Sequence, residues 1–185
     1  MPDLREARLA LIPVLAENSS YGYIGRTALM KYMYFLQTLR GLPLGYRFTL
    51  YSYGPFDSDV LADLGSAETL NAIDSEAVMY PGGYGYQIKP GNKAKWLKDR
   101  AAAFLDKHKS DVKWVADKFG SLTSPQLELV STIIYVDREA AQMKEKLKLA
   151  DLSNRVHEVK PHFTGAQIFS FAEGLAKDKL LQSVR

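Results

Sequence analysis

The chain has no cysteine, only three histidines in 185 residues, and no uncharged apolar run long enough to cross a membrane. Each absence removes a class of protein. Without cysteine there is neither a disulfide framework nor a thiolate metal site. A membrane-spanning helix needs about 18 or more consecutive apolar residues, and charged side chains interrupt every stretch before that. The opening Met1-Pro2-Asp3-Leu4-Arg5-Glu6 lacks the basic start and apolar run of a signal peptide, so a cytoplasmic protein of bacterial or archaeal type is expected. A fourth absence is local. From Phe48 through Ile88 there is no lysine or arginine at all.

What is present describes an ordinary folded chain. It is 46% hydrophobic and 24% charged, a balance that buries a core and does not leave the chain disordered. The length suits one large domain, or a small domain with an appendage. A net charge of +3 and a pI near 8.9 invite a nucleic-acid reading. Resolved by segment, the charge is +3 over 1–47, −6 over 48–88, +5 over 89–118 and +1 over the rest. The mean hides a polarised chain.

Apolar spacing sets the elements. Leu4, Ala7, Leu11, Val14 and Leu15 recur as on a helix, with Asp3 and Glu6 as a capping box and a kink or a break expected at Pro13. From Arg26 to Leu39 a second helix is apolar on most of its circumference, which places it at the centre of the core, and Gly41 ends it. Tyr46 to Tyr51 alternate as a strand until Gly54-Pro55 breaks it. Asp57 caps a helix through Leu64, weakened at Gly65-Ser66, with a second helical piece from Leu70 to Ile73. Ala77–Tyr80 and Tyr84–Ile88 form a hairpin about Pro81-Gly82-Gly83. Helices follow at 92–108, 110–119, 125–147, 151–157 and 165–181, with Ser124 before Pro125 as one cap and Thr164 with Gln167 as another capping box.

The reading is a mainly α chain with a small β component. Residues 1–90 form a winged-helix-like domain, and 91–185 form a helical extension packed on it. A β-sandwich, which needs about seven strands, has no room.

Two motifs carry a resemblance. Arg26-Thr27-Ala28-Leu29-Met30-Lys31-Tyr32-Met33-Tyr34-Phe35-Leu36 is followed by Tyr46-Arg47-Phe48-Thr49-Leu50-Tyr51-Ser52-Tyr53-Gly54-Pro55-Phe56. The pair resembles the prokaryotic YwgA-like family, with its arginine-led helix and "YxYGPY" turn. It is similar, more distantly, to the Panacea or SocA-like domain of antitoxins and proteolytic adaptors, which carries a "KLxKLLYF" helix and a "YGPV" turn. The match covers about residues 24–64. Here Ala28-Leu29-Met30-Lys31 replaces a leucine- and glutamine-rich stretch, and Phe56 replaces tyrosine or valine. The resemblance implies a winged-helix-like fold, no enzymatic activity, and a protein partner: a toxin occluded by binding, or a client delivered to a protease.

Local charge weighs the alternatives. A DNA-binding winged-helix regulator would present the helix after Gly54-Pro55 and the wing to phosphates, which requires donors, usually cationic. That span holds Asp57, Asp59, Asp63, Glu68, Asp74 and Glu76 instead. A regulator would have to dock through the basic stretch Lys93, Lys95, Lys98, Arg100, Lys107, Lys109 and Lys113, or through Arg26, Lys31 and Arg40. The first of these also reads as a solvated helix face of alternating charge. Ten of the eleven tyrosines precede residue 87. Tyrosine combines contact area with a polar tip and is enriched at protein interfaces. Tyr51, Tyr53, Gly54, Pro55, Phe56, Tyr84 and Tyr86 are therefore the candidate interaction residues. The helix around Leu127–Leu147 is apolar enough for a homodimer.

Catalytic signals are poor. His157 and His162 lie five apart with Pro161 between them, which is not the spacing of a zinc helix. Gly82-Gly83-Tyr84-Gly85 lacks a GKS/T ending and opens no helix, so it reads as a wing tip. Ser58 and Asp59 have no base nearby in sequence, and Asp57 and Asp59 suit the start of a helix. No metal or cofactor is expected.

Overall fold

The structure is a computed structural model that describes residues 3–81 and 83–184. In chain order the elements are α1 (Leu4–Glu17), α2 (Arg26–Arg40), β1 (Thr49–Tyr51), β2 (Gly54–Phe56), α3 (Ser58–Thr69), β3 (Ile73–Tyr80) and β4 (Gly83–Pro90). Then follow α4 (Ala94–Arg100), α5 (Ala102–Phe119), α6 (Ser124–Gln142), α7 (Leu149–Val159) and α8 (Gly165–Lys177). The chain is mainly α, with two antiparallel two-stranded sheets, β1-β2 and β3-β4. Among the described residues no helix is long and apolar enough to cross a membrane. Gly82, in the expected hairpin turn, lies outside the described residues.

Contacts divide the chain into two compact units, Met1–Phe48 with Asp57–Leu122, and Thr49–Phe56 with Thr123–Arg185. In the first, α1, α2 and α3 precede the β3-β4 hairpin, and Ile24, between α1 and α2, forms an antiparallel bridge to Ile88 of β4. The eight consecutive residues Leu29–Leu36 of α2 are all buried, as expected for a helix apolar on most sides. Phe35 stacks on Phe119 of α5 with ring centroids 4.1 Å apart. Gly41 closes α2 in the left-handed conformation and donates to the Leu36 carbonyl.

The boundary expected near residue 90 falls inside this first unit. Helices α4 and α5 pack on α1, and α5 packs on α2. Ion pairs Lys98–Glu17 and Arg40–Asp111, at 2.6 and 2.7 Å, and a short Arg100–Glu6 pair tie them there. Glu6 is thus spent on Arg100, while Asp3 caps α1 alone, accepting from the Arg5 amide.

Several local expectations are corrected. Pro13 does not break α1, because it sits buried in a helix whose flanking turns pack on both sides. Helix α3 runs unbroken through Gly65, and Ile73 begins β3 instead of ending a helix. The break expected near Lys109 lies at Ala101, a fully buried alanine whose amide donates to the Leu97 and Lys98 carbonyls. Thr123, not Ser124, caps α6, completing a capping box with Gln126.

In the second unit α6 packs against α7, α8 and β2, and α7 against α8. Thr164 and Gln167 form the expected capping box. Asp137 of α6 is fully buried and accepts from the amides of Gln182 and Ser183 and from the Ser183 hydroxyl, which fastens the segment after α8. The apolar breadth of α6 that suggested a dimer is buried within the chain.

Candidate functional site

The wing, β3 with β4, has two unlike faces. Opposed residues of an antiparallel pair share a face. Ile73, Ser75, Ala77 and Met79 therefore lie beside Pro90, Ile88, Tyr86 and Tyr84. At the root of this face Ile73 and Ile88 are buried. Further out, the Arg26 guanidinium lies 3.4 Å from the Tyr86 ring centroid, and Tyr84 meets Tyr86 edge-on at 5.9 Å. Beyond that cover Met79 is 81% and Tyr84 69% exposed. The core-facing side of the hairpin therefore continues past the end of the core. On the other face Tyr80 lies over Gly85, where a Cβ would come 3.0 Å from the exposed ring and push it aside by a few tenths of an ångström.

The acidic count around the wing needs one adjustment. Asp63 of α3 points inward, 2.9 Å from Arg8 Nε, and accepts from the Tyr46 hydroxyl at 2.8 Å. Burial, followed by the Asp63 charge, pushes the Tyr46 phenol far above its ordinary range. Asp57 caps α3 by accepting from the Asp59 amide. Helix α3 carries no basic residue.

The second hairpin, β1-β2, places Tyr51 and Tyr53 at its tip, 66% and 73% exposed. Its Gly54 and Pro55 are buried, which corrects their expected place at an interface. Gly54 has φ +88°, and a Cβ there would meet Ser131 Oγ at 3.0 Å, Thr132 Oγ1 at 3.2 Å and the Glu128 carbonyl at 3.3 Å. The Gly-Pro turn is therefore a seat on α6. Phe56 is half-buried, its ring 5.7 Å from that of Tyr51.

Beneath the tip lies a group that spacing did not reveal. Lys160, 3% exposed, donates to the carbonyls of Tyr51, at 3.2 Å, and Ser52. Its Nζ is 2.9 Å from Glu128 Oε1, and His162 Nε2 is 3.2 Å from the same oxygen. A buried lysine costs several kcal/mol of desolvation unless it is paired and bonded, and here it is both. His157 donates through Nδ1 to the Phe163 carbonyl at 3.0 Å, so the two neighbouring histidines do not converge.

The expected basic patch is largely spent. Lys95 pairs with Asp99 at 2.6 Å and Lys113 with Asp117 at 2.8 Å, both one turn apart, while Lys98 and Arg100 pair across to α1. Lys93, Lys107 and Lys109 remain exposed. The smaller group fares likewise, since Lys31 is buried, Arg26 covers Tyr86 and Arg40 holds Asp111.

Compared with known proteins, the chain matches no family model and no curated sequence.

Proposed function

We propose that the protein is a non-enzymatic interaction module that docks a protein partner through the tip of its wing. The observation that carries this reading is the run-on of one β-hairpin face, buried at Ile73 and Ile88 and exposed at Ala77, Met79 and Tyr84. Exposed tyrosine and methionine offer apolar contact area, and the aromatic ring costs little side-chain entropy to fix. Asp74 and Glu76 lie nearer the root on the opposite face, where Glu76 pairs with Lys89 at 3.5 Å, so the partner surface that fits the tip is an apolar patch. Resemblance to the SocA-like domain narrows the partner to a toxin held inactive or a client passed to a protease. A DNA-binding regulator is the competing reading. It meets an α3 without a basic side chain and a basic stretch in which Lys95, Lys98, Arg100 and Lys113 are already paired with carboxylates.

The experiment is a co-purification of wild type and the M79S/Y84S variant, with a mobility-shift assay at low and moderate salt. A partner retained by wild type and lost from the double variant supports the module. A salt-sensitive shift of duplex DNA, with no protein retained, overturns it in favour of the regulator.

A further inference from the structure

A cleft of ≈ 410 Å³ opens in the first unit between the start of α1, the loop after α2 and the start of α5. That volume falls within the range of small-molecule sites, about 300–1,000 Å³. Its walls are apolar, formed chiefly by Leu4, Pro43, Ala103 and Phe104. Two nitrogen-bearing side chains break the apolar lining, Lys107 and His108, and among the described residues no carboxylate lines it.

His108 is held in place from behind. Its Nδ1 lies 3.0 Å from Asp111 Oδ2, and the Phe104 ring sits 4.6 Å from the imidazole. Asp111 is itself gripped by Arg40, with Nε and Nη2 2.8 and 2.7 Å from Oδ1. Burial pushes the Asp111 carboxyl up, but the hydrogen bonds and charges of His108 and Arg40 outweigh it and hold the group below its ordinary range. An ionised carboxylate only accepts, so Nδ1 carries the proton, and Nε2 has no partner among the described residues. Arg40 already offsets the charge of Asp111. With Nδ1 protonated, Nε2 donates only when the ring takes up a second proton, a form that a bound carboxylate favours, and beside it Lys107 makes no ion pair among the described residues.

We propose that this cleft binds a small amphipathic monocarboxylate of the medium-chain fatty acid type. The hydrocarbon body lies along Leu4, Pro43, Ala103 and Phe104, and the carboxylate meets His108 Nε2 and Lys107. The histidine–aspartate pair serves here to position the ring. It fixes the ring so that one nitrogen faces the ligand, and a charge-assisted hydrogen bond at the edge of an apolar cleft supplies the selectivity for an anion.

Octanoate, octanol and octylamine separate the possibilities by calorimetry, read alongside the His108 ring signal in NMR. Octanoate is expected to bind saturably at one site, about tenfold or more tighter than octanol, with octylamine weakest. The ring signal should move with octanoate occupancy. Lys107 and Ala103 are exposed, so variants there keep the fold. K107Q should weaken octanoate several-fold and leave octanol unchanged, while A103W should block both without lowering Tm. Equal binding of octanoate and octanol, octanoate indifferent to K107Q, a ring signal that does not move, or no saturable binding overturns the proposal.

Discussion

The two hairpins carry exposed tyrosines by opposite means. In β1-β2 the tip that shows Tyr51 and Tyr53 is bolted from below: a glycine seated on α6, and a buried lysine bonded to two tip carbonyls and paired with Glu128. In β3-β4 the root alone is anchored, by Ile73 and Ile88, and the outer half extends with only Arg26 covering Tyr86. The difference separates stability from availability. Substitutions under the first hairpin remove buried, paired groups, whereas those at the tip of the second remove side chains that the fold scarcely uses.

That contrast can be broken in order of expected effect. K160M should cost most, about 3–5 kcal/mol, because it strands the Glu128 carboxylate and two carbonyls in a buried site. Chemical denaturation measures it, and a loss below 1 kcal/mol would show that solvent reaches the cluster. G54A should follow at about 2–3 kcal/mol, combining a left-handed backbone with the close approach to α6. A variant as stable as wild type would mean that the turn has room the structure does not show. Y46F comes next, at about 1.5–2 kcal/mol, since it removes a hydrogen bond to the charged Asp63.

Tyr46 also has a pH signature. Its phenol is raised in the folded state, so the stability it contributes is present below the unfolded pKa near 10 and is lost as pH rises above it. The alkaline loss of stability should therefore be shallower in Y46F, and an unchanged alkaline limb would remove the coupling to Asp63. Asp111 works in the other direction. Its lowered pKa gives stability that is present above the unfolded value near 3.8 and lost as pH falls below it, so D111N should flatten the acid limb. The smallest effect belongs to M79S/Y84S, within about 0.5 kcal/mol of wild type. A drop of more than 1.5 kcal/mol would mean that the wing tip packs as core.

Much of this was legible along the chain. Helix α2 announced its central place through apolar residues on most of its circumference, and Gly41 and the Thr164–Gln167 capping box ended or began helices where their chemistry demands. The wing was legible from two β-prone runs about a glycine-rich turn, although its strands extend further to Ile73 and Pro90. Other features lay in the packing alone. Ala101 opens a run of three alanines with no glycine or proline beside it, so no local residue marks the break between α4 and α5. Gly54-Pro55 reads as a strand breaker, yet it forms β2 because α6 receives the glycine. Lys160 looks like any surface lysine at the end of a helix, and only the carbonyls of a distant turn explain its burial. Asp63 is a case where the signal existed. It falls with Val60, Leu64 and Ala67 on one stripe of α3, and an acid on an apolar stripe implies a buried cation, here Arg8. The segment sum of −6 therefore overstated the negative surface by one inward carboxylate.

The measurement that bears most directly on the central claim is site-specific photocrosslinking in cells from position 79 of the wing tip, with position 95 of the paired basic helix as the reference. A discrete adduct with one protein from position 79, absent from position 95 and lost when Tyr84 is also replaced by serine, is the predicted result. Equal labelling from both positions, or a discrete adduct only from position 95, would contradict the account and move the interface off the wing.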